Sequence, residues 1–153
     1  MARVCVTGLG VVAPNGIGQT SFWQSLSNGI SGISRLTLFD TSEMQAQIAG
    51  EVKGFRAQDY LKKPVKLKRL ARHTQFALVA ANEALQDAGL EPLKPLGYEL
   101  PVVMGVSIIG FDVIQRYLDA RESHDPSRIP PYAVTEAPPQ APAAAIAKYL
   151  AVP

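Results

Sequence analysis

Val4-Cys5-Val6-Thr7-Gly8-Leu9-Gly10-Val11-Val12-Ala13-Pro14-Asn15-Gly16 is the stretch from which the fold is read. Its apolar, β-branched run has the composition of a strand covered on both faces. Gly8, Gly10 and Gly16 then make it read as a glycine-punctuated loop, with backbone geometry that a Cβ would forbid. Gly8-x-Gly10-x-x-Ala13 also satisfies a loose dinucleotide-binding pattern. That pattern needs a helix opening directly at the glycines, so that its first amides hold a pyrophosphate. Here a second extended piece follows, and Pro14 pushes Ala13 out of helical space. The first carboxylate after the loop is Asp40, and none stands at the spacing a ribose contact requires. Both features argue against a nucleotide.

Outward from this stretch, Thr20 to Asn28 is expected as the first helix, with Thr20 as N-cap, Gly29 as its stop and Phe22, Trp23 and Leu26 facing a core. Ser31 to Ser42 reads as a loop, Ile48 to Val52 as a strand and Phe55 to Tyr60 as irregular. Arg69 to Ala88 has the clearest helical period: Leu70, Ala77, Ala81, Ala84 and Ala88 recur, flanked by Leu78 and Leu85. Its alanines predict close packing. Gly89 is expected just past its C-cap, with Leu90 folding back toward Leu85. Pro101 to Val106 reads as a second buried strand and Phe111 to Arg121 as a helix with Phe111, Ile114 and Leu118 on one face. Strand, helix, strand, helix implies α/β with parallel pairing. Ser123 to Pro142 carries Pro126, Pro130, Pro131, Pro138, Pro139 and Pro142, half of the 12 prolines. So dense a run is not expected to be regular structure; it reads as an ordered covering loop or a mobile one. Pro142 is then placed to open a short helix, Ala143 to Leu150.

A chain of 153 residues suffices for one domain; at that size roughly 70% of the unfolded surface is buried. Hydrophobic residues make up 47% and charged residues 18%, which marks a globular chain. A net charge of +2 gives no case for nucleic acid. Met1-Ala2-Arg3 runs straight into the glycine stretch without a signal peptide, and no apolar run is long enough to span a membrane. A soluble, cytoplasmic protein is expected.

The candidates for chemistry are sparse. Cys5, the single cysteine, lies between two valines without a helix N-terminus or nearby cation to activate it; a structural thiol is expected. His73 and His124 have no metal-ligand spacing with each other or with Cys5. Asp40, Glu43, Glu51, Asp59, Glu83, Asp87 and Asp112 are scattered, with no pair that has reason to share a site. No metal or other cofactor is implied.

Val-Thr-Gly-x-Gly-x-Val-x-Pro-x-Gly at an N-terminus resembles the opening of the β-ketoacyl synthases, the condensing enzymes of fatty-acid and polyketide synthesis. Phe22-Trp23, Leu26 and Gly29-Ile30-Ser31-Gly32-Ile33 continue the likeness. So do Phe39-Asp40, Ile48-Ala49-Gly50-Glu51-Val52, Asp59-Tyr60-Leu61, Thr74-Gln75-Phe76-Ala77-Leu78 and the run from Ala84 to Leu90. The resemblance covers nearly the whole chain. It implies the N-terminal half of a thiolase-like fold, an α/β architecture with a mostly parallel sheet and helices on its faces, occupying residues 1–153. The activity implied is decarboxylative condensation of acyl and malonyl thioesters on acyl carrier protein, within a homodimer or a heterodimer with another ketosynthase subunit.

In that family the nucleophilic cysteine follows a Gly-Pro pair, and two histidines lie later still. On the resemblance this chain stops before them, so by itself it is expected to be inactive and to hold no catalytic residue. Lys62, Lys63, Lys66, Lys68, Arg69 and Arg72 form a basic cluster, either a solvated helix face or, on the resemblance, a contact for acyl carrier protein. The family's Gly-Ser-Gly-Ile-Gly-Gly loop reads here Gly105-Val106-Ser107-Ile108-Ile109-Gly110. The resemblance makes Ile108 the one substrate-pocket candidate, while Val106 and Ile109 are bulkier than the pattern. Ala71 stands where an aspartate is common. These departures suggest a divergent ketosynthase or a non-catalytic partner of the chain-length-factor kind.

Overall fold

The computed structural model describes residues 3–61, 65–90, 100–129 and 131–150. The long helix α2, Arg72–Asp87, lies at the centre. Before it come a hairpin of β1, Val12–Ala13, with β2, Gly16–Ile17, then helix α1, Gln19–Ser27, and a second antiparallel pair. That pair joins β3, Ile33–Arg35, to β4, Ile48–Gly50, with Ser34 opposite Ala49. After α2 come α3, Phe111–Glu122, the short α4, Ala133–Glu136, and α5, Ala141–Leu150.

Two apolar clusters flank α2. Val79 packs with Phe55 and Ala57, under Val12, Ile17 and Phe76. Leu78 packs with Ile146 and Tyr149 of α5, joined by Leu70, Ala77 and Val102. Thr74, Leu78 and Asn82 recur every four residues along α2 and are all buried; of the residues expected on the helical stripe Leu78 is buried, while Leu70, Ala77, Ala81, Ala84, Leu85 and Ala88 are half-buried beside it. Asn82 is tied down among them: the Tyr149 hydroxyl donates to Asn82 Oδ1 at 3.0 Å, and Asn82 Nδ2 donates to the Tyr60 carbonyl at 3.0 Å. α2 ends as expected. Gly89 has φ +70°, and the amides of Gly89 and Leu90 donate to the carbonyls of Gln86 and Leu85.

Several expectations are corrected. The helix read as Arg69 to Ala88 starts at Arg72, because Leu67–Arg69 forms a separate 3-10 turn and Leu70 and Ala71 are extended. α1 is capped at Gly18, not Thr20. Of its expected core stripe Phe22 is half-buried, while Trp23 is 66% exposed and Leu26 is exposed too. The loop expected from Ser31 to Ser42 contains β3, since Ile33 to Arg35 find partners in β4. Phe55 to Tyr60 is less irregular than expected; Ala57–Asp59 makes a 3-10 turn that buries Ala57. The proline-rich run is more ordered than a loop, with a 3-10 turn at Pro126–Arg128 and α4 within it. The last helix begins at Ala141, with Pro142 in its first turn.

The strands expected at Val4–Val6 and Pro101–Val106 have no ladder among the described residues, whose sheets are two antiparallel pairs. A strand covered on both faces needs neighbours on either side; here Val4 is 99% exposed and Val103 is exposed as well. The expected face of α3 is also open, since Val113 and Ala120 are its buried residues while Phe111, Ile114 and Leu118 are exposed.

Candidate functional site

The glycine stretch is held by α2. A Cβ at Gly8 would meet the Ala84 carbonyl oxygen and lie 2.9 Å from the Ala88 Cβ; one at Gly10 would meet the Ala80 carbonyl oxygen. These glycines therefore face the small-residue side of α2, and the place a pyrophosphate would take is filled by helix backbone. No helix opens at them either, since β1 and β2 intervene before α1. Two carboxylates of α2 reach back to the stretch. Glu83 accepts the Val11 amide at 2.8 Å and the Gln19 amide at 2.7 Å, and Asp87 accepts the Leu9 amide at 3.0 Å. The bond from Leu9, helped by the Gln19 side chain, holds the Asp87 carboxyl below its ordinary value. These residues looked scattered in the sequence because their partners lie more than 60 positions away.

The basic cluster divides. Lys62 and Lys63 lie outside the described residues. Lys66, Lys68 and Arg69 are exposed on and beside the 3-10 turn Leu67–Arg69. Arg72 turns inward: its guanidinium donates to the Val52 carbonyl at 2.6 Å and lies 5.0 Å and 5.6 Å from the ring centres of Phe76 and Phe55. It is a packing and hydrogen-bonding residue there, as a planar cation over aromatic faces should be. Beside the basic turn is an open cleft of about 560 Å³ lined by Arg69, Leu70, Tyr132, Glu136, Ala145 and Lys148. Two cations at the rim over an alanine-rich wall suit an acidic partner that brings some apolar surface.

Ile108 is 74% exposed, in the bend that leads into α3. Cys5 is exposed rather than packed, because its strand has no partner here. His73 is half-buried, with an Nε2 that finds no hydrogen-bond partner, and His124 is exposed with φ +51°. No group of three or more His, Cys, Asp or Glu is arranged to hold a metal among the described residues. No helix among them is long and apolar enough to cross a membrane.

Comparison with known proteins accounts for this arrangement. The chain is 41% identical over 131 residues to the tetracenomycin polyketide synthase ketoacyl synthase beta subunit of Streptomyces glaucescens, covering 86% of this chain and 32% of that protein. It is 32% identical over 132 residues to the 3-oxoacyl-[acyl-carrier-protein] synthase 2 of Staphylococcus aureus (strain COL), again covering 86% and 32%. The chain thus spans about a third of the length of these relatives. The solved ishigamide ketosynthase/chain length factor superposes with a TM-score of 0.78 at 27% identity, over 97% of this chain and 37% of that one. A β-ketoacyl synthase from Burkholderia phymatum STM815 superposes equally well, at 0.78 and 22% identity over 99% and 38%, and supports the fold alone. The α/β path is therefore thiolase-like, although the described strands pair only locally. With the model of the β-ketoacyl synthase N-terminal domain matching residues 1–152, the chain belongs to the β-ketoacyl synthase family.

Proposed function

We propose that this chain is the N-terminal framework of a condensing enzyme. That enzyme would join acyl and malonyl thioesters, presented on acyl carrier protein, by decarboxylative Claisen condensation in polyketide or fatty-acid synthesis. The observation that carries this is the 41% identity to a polyketide ketoacyl synthase subunit over 86% of the chain. Related proteins engage the same partner: a type II polyketide acyl carrier protein has been solved in complex with its ketosynthase, and the chain matches that structure with a TM-score of 0.61 at 28% identity, over 96% of this chain and 35% of that one. On this reading Lys66, Lys68 and Arg69 steer the acidic carrier protein, and the adjoining cleft receives its edge. Ile108 lines the acyl path, in a loop narrowed by Val106 and Ile109. The chain supplies framework and docking surface and no nucleophile, and the assembly works in the cytoplasm as a homodimer or a heterodimer of ketosynthase subunits.

A second reading is favoured by the relatives themselves. The Streptomyces glaucescens relative is a beta subunit, and the ishigamide structure contains a chain length factor. On that reading the chain belongs to a non-catalytic partner that pairs with an active ketosynthase.

One experiment separates the two. The product of the complete reading frame is incubated with an acyl-carrier-protein thioester and weighed intact, and carrier-protein binding is followed in parallel. An acyl adduct on a cysteine other than Cys5 is the expected result for a condensing enzyme. Binding without an adduct assigns the partner role. Substituting Lys66, Lys68 and Arg69 together by Glu is expected to weaken binding by tenfold or more; unchanged binding would overturn the docking surface.

A further inference from the structure

Helix α2 begins without a cap of its own. Its N-cap residue is Ala71, extended at φ −61° and ψ 156°, and its first turn holds no acidic residue. An alanine there offers no acceptor to the first amides of the helix. Thr74, three residues in, is fully buried, with an Oγ that finds no partner, so it does not reach back either.

Distant pieces of chain converge on this end instead. Glu136, the last residue of α4, is buried, and its Oε2 accepts the Ala71 amide at 2.9 Å across 65 positions of sequence. Asp112, in the first turn of α3, brings Oδ2 to 3.5 Å from the Arg72 amide. Gly110, the N-cap of α3, passes so near the end of α4 that a Cβ on it would stand 2.9 Å from the Ala137 carbonyl oxygen. Ala71 is itself 4% exposed, so its N–H depends on Glu136 for an acceptor. In a capping box, a glutamate three residues into a helix takes the amide of the N-cap. Glu136 does this from another element, and its negative charge sits at the positive end of the helix dipole.

We propose that Glu136 is a latch. It is a positioning residue that completes the start of α2 and thereby fixes α4 and the proline-rich run against the basic turn, building one wall of the cleft between Arg69 and Lys148. Without it the wall detaches, and the cleft loses its shape while α2 keeps its core packing. This role holds whatever the cleft receives.

Two substitutions of similar size separate hydrogen bonding from packing. Glu136→Gln keeps an acceptor oxygen at the same reach, whereas Glu136→Met fills the space and accepts nothing. The Gln variant is expected to melt within about 2 °C of the unaltered chain, and the Met variant roughly 3–10 °C lower, the consequence of an orphaned buried amide. Amide exchange in the Met variant should quicken at Ala71 and through Ala133–Ala137 before it quickens at Leu78. Equal melting of the two variants, or equal exchange across both regions, would overturn the latch. If the Met variant does not fold, exchange in the unaltered chain decides: the Ala71 amide should be among its slowest outside helix interiors, and a fast Ala71 amide would overturn the proposal.

Discussion

Asp87 shows how a single exposed carboxylate acquires a structural task. Its acceptor bond from the Leu9 amide, with the Gln19 side chain beside it, lowers its folded pKa. The lowered value means that the charged form is favoured by folding. The stabilisation is therefore present above the unfolded value, about 3.9, and is lost as pH falls through the folded value. Asp87→Asn should reduce denaturant stability at pH 6, and the difference should shrink as pH falls below the unfolded value and the aspartate becomes protonated too. Urea melts of both chains across a pH series downward from pH 6 check this, with a gap that stays constant counting against it. The group is fully exposed, so salt should shrink the effect at pH 6. None of this was legible in the sequence: Asp87 reads there as one of several scattered carboxylates, and its partner is 78 positions away.

At the scale of elements, legibility followed how locally each feature is determined. The stop of α2 is local: Gly89 adopts φ +70°, and the paired bonds from Gly89 and Leu90 lie within six residues. Gly89→Val should cost about 1–2 kcal/mol by forcing a β-branched residue into left-handed backbone; a denaturant midpoint unchanged from the unaltered chain would contradict that geometry. β4 shows in its own short run, but the tight fit of Gly50 is not local, since its missing Cβ faces the Pro14 side chain at 2.9 Å from the opening stretch of the chain. The start of α2 is not local. Its periodic residues continue back to Leu70, yet the helix waits for Arg72, and the amide before it is satisfied by Glu136 from α4. Arg72 likewise reads as one more cation in a basic run, and only the folded chain shows Phe55 and Phe76 beneath it. The Val4–Val6 and Pro101–Val106 segments carry the composition of doubly covered strands but lack ladder partners among the described residues. Their composition records a burial that these residues do not supply to one another. Ile108 stands out in the sequence through motif likeness and through no period or charge of its own.

For the whole molecule, the balance of surface follows from the same gap. Val4, Val103, Ile108, Phe111 and Ile114 all stand exposed, and α1 adds Trp23. Scattered apolar residues on a surface need no explanation, but helix faces and strand segments that are apolar throughout seek cover. The chain spans about a third of the length of its relatives, so such surface is what a portion of a larger fold presents. Alone in solution, these segments should therefore cover one another between molecules. The expected result of sedimentation velocity is a weight-average mass above the monomer's 16.4 kDa that rises with concentration. Replacing Phe111 and Ile114 by Lys should shift the distribution toward monomer. Because both residues are exposed, the replacement should leave the thermal midpoint of the α2–α5 core nearly unchanged. A single species at 16.4 kDa across micromolar to millimolar concentration would show that the open face of α3 needs no partner.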